Sequence, residues 1–207
     1  MRCSGAWRLA CLMAAVALLS ALVGCNGLSS KQRLLQTART APTVTERGKA
    51  LAALKGRTEP WMRQDLETVL GQELDPTSRA LAAELLGEIG DPASAPELSR
   101  SARTDTRWLV RQRALDALAK VEGAGAKDDI QSALRTDPDP EVRREAAILV
   151  RKYLTQEDAT PLLLAALRDH AAVVRLQAAA MLEELTGLHP APDADSWQKA
   201  LAAAQKP

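Results

Sequence analysis

The sequence predicts an all-α protein: an α-solenoid of about five stacked helix pairs with a 32-residue period, closed by a C-terminal capping helix. Composition is the first observation, since 46% of the 207 residues are hydrophobic but only 2% are aromatic and none is Phe. Ala and Leu must therefore supply the core, and they favour close-packed helices over sheets, which use more aromatic and β-branched side chains. The second observation is a repeat of constant length, and the third is the presence of two apolar segments in each repeat.

The repeat is marked by an arginine that returns every 32 residues. Each of these arginines is followed by Ala after three residues and by Leu or Val after seven, and these offsets fall on one face of a helix. The stripe predicts a buried face on which small Ala side chains let neighbouring backbones approach closely. The arginine column consists of Arg47, Arg79, Arg111, Arg143 and Arg175.

A second apolar segment precedes each helix of the arginine column, so every period contains two helices. A capping residue followed by proline at the first helical position is predicted at Asp75-Pro76, Asp139-Pro140 and Thr160-Pro161. Thr43 and Glu46 have the spacing of a capping box. Trp61 and Tyr153 follow the apolar periodicity and are expected in the core. The predicted helix pairs lie near 30–56, 59–89, 93–121, 126–154 and 157–186, with a last helix near 193–205.

The first 24 residues have the organisation of a secretory signal. Arg2 and Arg8 form a basic start without acidic residues, and an apolar run of about 15 residues extends from Leu9 to Val23. A helix needs roughly 20 apolar residues to span a bilayer. A cleavable signal therefore fits this run better than a permanent membrane helix.

The end of the apolar run, Leu22-Val23-Gly24-Cys25, resembles the lipobox of bacterial lipoproteins. The resemblance implies cleavage between Gly24 and Cys25 and a lipid on the Cys25 thiol, which would hold the protein on a membrane essentially permanently. Asn26 is not the Asp that marks inner-membrane retention in some enterobacteria, so the outer membrane facing the periplasm is expected in a host with two membranes. The alternatives are an ordinary cleaved signal with an incidental Cys25, or an uncleaved anchor.

The later periods resemble HEAT repeats, most closely the short HEAT-like subtype first named from phycobilisome lyases. The resemblance rests on Asp-Pro-Asp-Pro-Glu-Val-Arg-Arg-Glu-Ala-Ala at 137–147 and on its echo at 169–179. It implies a curved solenoid in which stacked helix pairs share a continuous core. The expected divisions are a lipoprotein signal peptide, a lipidated N-terminus with a linker and the start of a capping helix, the repeat solenoid, and a C-terminal cap or tail, at 1–24, 25–42, 43–186 and 187–207.

In HEAT repeats the arginine of this column commonly pairs with an aspartate in the turn before it or in the neighbouring repeat. Three aspartates of this sequence each lie six residues before an arginine and recur at the same period. The resemblance therefore implies a structural ladder in preference to a functional arginine site. The ladder residues are Arg79, Arg111, Arg143 and Arg175 with Asp105, Asp137 and Asp169.

The sequence contains no recognisable catalytic constellation, so we expect a protein that is not an enzyme and uses no cofactor, metal or small-molecule substrate. The glycines near Gly123 have neither the spacing nor the strand of a nucleotide-binding motif. His170 is followed by Ala and His189 by Pro, which excludes a His-Glu metal pair. Because 27 basic residues stand against 26 acidic ones, no strong field is present to bind nucleic acid.

A partner-binding surface is the remaining functional feature. HEAT proteins line their concave face with the second helix of each pair, and helical offsets place a basic centre there. Acidic residues of the flanking pairs lie on either side, namely Glu84, Glu88, Glu183 and Glu184. Such a stripe suits an acidic protein segment or lipid headgroups, and the alternative is a mixed solvated face. The basic centre consists of Arg113, Lys120, Arg144, Arg151 and Lys152.

Trp108 occupies the helix-start position that Pro76 and Pro140 hold in neighbouring periods. It is expected either as an exposed anchor for a partner or as a packing residue between repeats. Together these features predict a lipid-anchored HEAT-like protein of the bacterial envelope that acts as an interaction scaffold or adaptor for unidentified protein partners. The alternative is a catalytic or non-catalytic subunit of a lyase-type, envelope-assembly or motility complex.

Overall fold

The structure is a computed structural model that describes residues 28–204. Throughout this range the regular structure is helical, with no strand, which confirms the predicted all-α class. The described residues up to Arg57 form one compact unit and those from Thr58 onward form another. The predicted cleavage site at Gly24 and Cys25 lies outside the described residues.

The first unit contains one helix pair, α1 (Ser30–Thr40) and α2 (Val44–Ala52). These helices pack against each other, so the predicted boundary at 42/43 passes between the members of a single pair. The Thr43 hydroxyl caps α2 by accepting the Glu46 backbone N–H at 3.2 Å, as its spacing predicts.

The second unit contains four further helix pairs and a final helix. In each pair the first helix is the shorter, and we call it the A helix and its successor the B helix. The pairs are α3 (Arg63–Gln72) with α4 (Pro76–Ile89), α5 (Ala95–Thr104) with α6 (Trp108–Glu122), α7 (Lys127–Thr136) with α8 (Pro140–Tyr153), and α9 (Gln156–Ala166) with α10 (Ala172–Thr186). The final helix is α11 (Ala194–Ala204).

Helix starts follow the capping chemistry of the sequence at two of the three proline sites. Asp75 and Asp139 cap α4 and α8 through backbone N–H groups of the first turn, and proline occupies the first helical position in both. The third prediction is wrong, because α9 begins at Gln156 and contains Pro161 inside it. Thr155 is the residue that caps this helix, one turn earlier than predicted.

The stripe beside the arginine column forms the core. Its Ala and Leu or Val columns are no more than 4% exposed at every one of the five periods. In the second unit, consecutive B helices also pack on each other, so that α4 contacts α6, α6 contacts α8, and α8 contacts α10. Stacked pairs thus share one continuous apolar layer, which is the arrangement of a solenoid.

The last helix, α11, packs against α9 and buries Trp197 completely. The prediction that Trp61 is in the core is wrong, since 48% of this residue is exposed. Trp61 lies in a short 3₁₀ turn, Pro60–Met62, and Met62 fills the core in its place. Tyr153, at the end of α8, is half-buried. Among the helices of residues 28–204, none combines the length and the apolar character that crossing a bilayer requires.

Candidate functional site

The arginine column and the aspartate column meet in ion pairs between neighbouring repeats. The Arg111 guanidinium holds the Asp137 carboxylate with two hydrogen bonds, from Nε at 2.8 Å and from Nη2 at 2.7 Å. Arg143 holds Asp169 in the same way, at 2.8 and 3.0 Å. Arg79 and Asp105 form the third such pair, at 2.8 and 2.9 Å.

Each of these arginines also binds the turn of its own repeat, six residues earlier. The Nη1 group of Arg111 donates to the Asp105 carbonyl at 2.9 Å, and that of Arg143 donates to the Asp137 carbonyl at 2.7 Å. An aspartate of the ladder therefore binds two arginines, one through its carboxylate and one through its backbone carbonyl. Each guanidinium therefore forms hydrogen bonds to two turns, its own and that of the next repeat, and so links successive repeats.

Electrostatics follow from this geometry. Burial alone would raise the pKa of Asp169, but the hydrogen bonds from Arg143 and from the Ala171 backbone N–H, with the positive charge of Arg143, hold that pKa below its usual value. The pKa of Asp105 is lowered for the same reasons, with Arg79 and the Arg107 backbone N–H as donors. Asp105 and Asp169 are thus kept ionised as part of the scaffold.

The predicted basic centre lies on α6 and α8, and its members are exposed or half-buried. Two of its five members are neutralised on their own helix: Lys120 pairs with Asp116 at 2.7 Å, and Arg144 pairs with Glu141 at 2.9 Å. Burial alone would lower the pKa of Lys120, but Asp116 and the nearby charges raise it. The spacings of three and four residues were the signal in the sequence for both pairs.

Three members of the basic centre have no carboxylate partner within residues 28–204. Arg113 is exposed on α6, and Lys152 is exposed at the end of α8, with its ammonium 5.0 Å from the Tyr153 ring centroid. Arg151 is half-buried, and its Nε is buried without a hydrogen-bond acceptor. We call Arg113, Arg151 and Lys152 the unpaired basic cluster.

The predicted acidic flanks lie on the neighbouring B helices. Glu84 and Glu88 belong to α4, and the negative charge of Glu84 acts on Lys120 of α6. Glu183 lies near the end of α10, with its carboxylate 3.8 Å from His189. Acidic and basic groups therefore alternate across the B helices.

Trp108 begins α6 and is 41% exposed. Its large apolar surface is available to solvent beside the aspartate turn that starts at Asp105.

A groove of about 240 Å³ lies between α5 and α7, beside the ladder. Its charged walls come from Arg111 and Asp137, which pair with each other, and from Arg103 and Asp129, which also form an ion pair. These groups satisfy one another. Across residues 28–204, no group of three His, Cys, Asp or Glu side chains is arranged to hold a metal ion.

A family model of HEAT repeats matches residues 32–119 and 127–196, well over half of the sequence. The chain belongs to the HEAT-repeat family. The match includes the first helix pair, whose sequence departs most from the later periods, and it extends into α11.

Two solved structures show the same HEAT-type fold. One is a chain from the complex of CpcE and CpcF of phycocyanin lyase from Nostoc, with a TM-score of 0.60, 20% identity, and coverage of 79% of this chain and 68% of that one. The other is YibA of Escherichia coli, with a TM-score of 0.59, 19% identity, and coverage of 84% of this chain and 64% of that one. The present chain thus spans less than two thirds of YibA. Among curated proteins, none matches this sequence significantly.

Proposed function

We propose that this HEAT-repeat protein is a lipid-anchored scaffold of the bacterial envelope, and that its B-helix surface binds an acidic segment of a partner protein at the unpaired basic cluster. The observation that carries the proposal is the buried Nε of Arg151, which has no hydrogen-bond acceptor. A buried guanidinium N–H without an acceptor destabilises a protein by about 1–3 kcal/mol. Movement of the Arg151 side chain toward a partner carboxylate would remove that penalty.

The surroundings of Arg151 support a protein ligand. Lys152 and Arg113 add charge without carboxylate partners, while Glu84 and Asp116 limit the positive field to a short stretch of surface. Localised charge of this kind suits a short acidic segment of complementary pattern better than a long uniform polyanion.

Capture of the partner tests the binding proposal. Photo-crosslinking on the B-helix surface of the full-length protein, in cells of the native host, should yield a protein adduct that Arg151→Glu with Lys152→Glu abolishes. Lys199→Glu is the matched control, because Lys199 is an exposed lysine of α11 and lies away from the cluster. Equal capture by both variants, with unchanged helical circular dichroism, would move the binding site elsewhere.

The membrane anchor rests on the lipobox that ends in Cys25. An alkyne-labelled fatty acid should enter the wild-type protein and not Cys25→Ser. In a host with two membranes, the labelled protein should fractionate with the outer membrane. Equal labelling of the two proteins would exclude Cys25 as the acylation site.

A second candidate is a subunit of a lyase-type, envelope-assembly or motility complex. The lyase version is suggested by the solved complex of CpcE and CpcF, a two-component assembly that contains a chain of this fold. Isolation of this protein in a stable stoichiometric complex would favour the subunit over a transient adaptor. Turnover of a substrate by the purified mature protein alone would overturn the non-enzymatic proposal.

A further inference from the structure

Within residues 28–204 the last arginine of the ladder is Arg175, and only the Nη1 group of its guanidinium makes a hydrogen bond there. As in the other repeats, its Nη1 donates to the turn before it, to the carbonyls of Asp169 at 2.8 Å and His170 at 3.0 Å. In the internal repeats, the Nε and Nη2 groups hold a carboxylate that comes 26 residues later. That position is Leu201 for Arg175, and within residues 28–204 no carboxylate pairs with this arginine.

The surface beside Arg175 is apolar and uncovered. Leu176 is 62% exposed and Val173 is 36% exposed. Leu176 occupies the column of Gln112, which donates to Glu145 of the next B helix at 3.2 Å; Arg144 in the same column pairs with Glu141 on its own helix. The final helix packs on α9 and leaves this part of α10 open.

We propose that Arg175, Leu176 and Val173 form a second docking surface, which binds a different protein through an aspartate in the turn before a helix. The aspartate would supply the missing carboxylate of the ladder, and the helix after it would cover the two apolar side chains. This surface is independent of the unpaired basic cluster.

The internal ladder specifies the chemistry of the ligand. In each complete rung, one carboxylate oxygen accepts from Nε at 2.8 Å, and the other accepts from Nη2 at 2.7–3.0 Å. The second oxygen also accepts the backbone N–H two residues further on, at 2.8–2.9 Å. By analogy with the internal rungs, the ligand is an aspartate already fixed in a tight turn, which presents both oxygens to the guanidinium fork.

The sequence of the first repeat argues against a second copy of this chain as the occupant. Six residues before Arg47, the turn carries Ala41, whereas the corresponding residues of later repeats are Glu73, Asp105, Asp137 and Asp169. Head-to-tail stacking of two copies would therefore place an alanine opposite Arg175 and leave its Nε and Nη2 without a carboxylate. A different protein with an aspartate at this position completes the rung.

Site-specific crosslinking tests this surface in the full-length protein. With p-benzoylphenylalanine in place of Leu176, illumination in cells of the native host should give an adduct with another protein. The crosslinked peptide should lie within the helix that follows an aspartate turn. Arg175→Asp should lower the adduct yield at least about tenfold, and replacing the mapped partner aspartate with arginine should restore it.

Further variants keep the result interpretable if Arg175→Asp perturbs folding. Arg175→Lys keeps the charge but removes the bidentate fork, and it should also reduce the yield while preserving the thermal midpoint. Arg151→Glu with Lys152→Glu should leave the adduct at position 176 intact even though it abolishes capture at the basic cluster. A yield unaffected by either Arg175 variant, failure of the charge swap, an adduct between two copies of this chain, or no protein adduct at all would each overturn the proposal.

Discussion

Gly87 of α4 lies directly against Ala117 of α6: a Cβ atom added to Gly87 would meet both the Cα and the Cβ of Ala117 at 2.9 Å. The contact is between two helix backbones, so neither side can yield without moving a helix. The contact lies between consecutive B helices, and its consequence for stability can be measured.

Gly87→Ala should destabilise the protein, although alanine is normally the better helix former. Overpacking of a tight core commonly costs about 1–3 kcal/mol, which outweighs the gain of about 1 kcal/mol in helix propensity. Gly71→Ala in α3 is the matched control, because its added Cβ meets the flexible ends of two side chains, Glu97 at 3.0 Å and Arg100 at 3.4 Å, and no backbone. The urea midpoint of unfolding should be equal to or higher than that of wild type for Gly71→Ala, and lower than that of wild type for Gly87→Ala. Equal midpoints for the two variants would contradict the close contact.

Arg143→Ala should destabilise the protein much more than Arg175→Ala. Removal of Arg143 leaves the Asp169 carboxylate, only 10% exposed, without its ion-pair partner, a change that typically costs about 3–5 kcal/mol. Removal of Arg175 loses only hydrogen bonds to two backbone carbonyls, each contributing about 0.5–1.5 kcal/mol. Equal losses of unfolding free energy in denaturant titrations would show that the last rung is already complete.

Acid should weaken the fold as Asp105 and Asp169 become protonated. The folded-state pKa values of Asp105 and Asp169 lie below the value of about 3.9 for an unperturbed Asp, so the unfolded chain takes up protons first as the pH falls. Their contribution is fully present well above pH 4 and is lost below it. The thermal midpoint should fall less steeply with pH below about 4 in Asp169→Asn than in wild type, whereas Asp128→Asn, an exposed control, should keep the wild-type slope.

Arg151→Met should separate stability from function. The thioether side chain keeps most of the apolar contacts of Arg151 and removes the buried Nε that has no acceptor, so the free energy of unfolding should stay the same or rise by about 1 kcal/mol. Capture of the partner at the B-helix surface should nevertheless be lost. A destabilised variant that still captures the partner would show that Arg151 has a structural role.

The repeat itself could be predicted from the sequence because its columns have strict offsets. An arginine followed by small and branched residues at three and seven positions can bury only one helix face, and the structure has those columns in the core. The predicted helix start at Thr160-Pro161 is wrong because a cap-and-proline pattern is a local signal. Thr155, five residues earlier, caps the helix instead, so that Pro161 lies inside it. The prediction that Trp61 lies in the core assumes an unbroken α-helix. It is wrong because the 3₁₀ turn at Pro60–Met62 changes the direction in which the side chains point.

The candidate surfaces depend on features that sequence periodicity does not contain. Offsets of 6 and 26 residues both connect an arginine to an aspartate turn, and only the folded turn decides which contact uses the carboxylate and which uses the carbonyl. Helical offsets identify the exposed positions of the basic centre but not the carboxylates beside them. In the structure, Asp116 neutralises Lys120 and Glu141 neutralises Arg144. The incomplete rung at Arg175 depends on the packing of the last helix, since among residues 28–204 no carboxylate pairs with this guanidinium.

The ladder gives the repeat array a direction, since Arg79, Arg111 and Arg143 each reach forward to the carboxylate of the next repeat. If an extra 32-residue repeat were inserted after α10, its turn aspartate would pair with Arg175 and its B helix would pack on Leu176. Duplication of a gene segment could therefore lengthen this protein at that end without redesign of the existing repeats. The free side of the Arg175 guanidinium is thus the point at which a further repeat could be added.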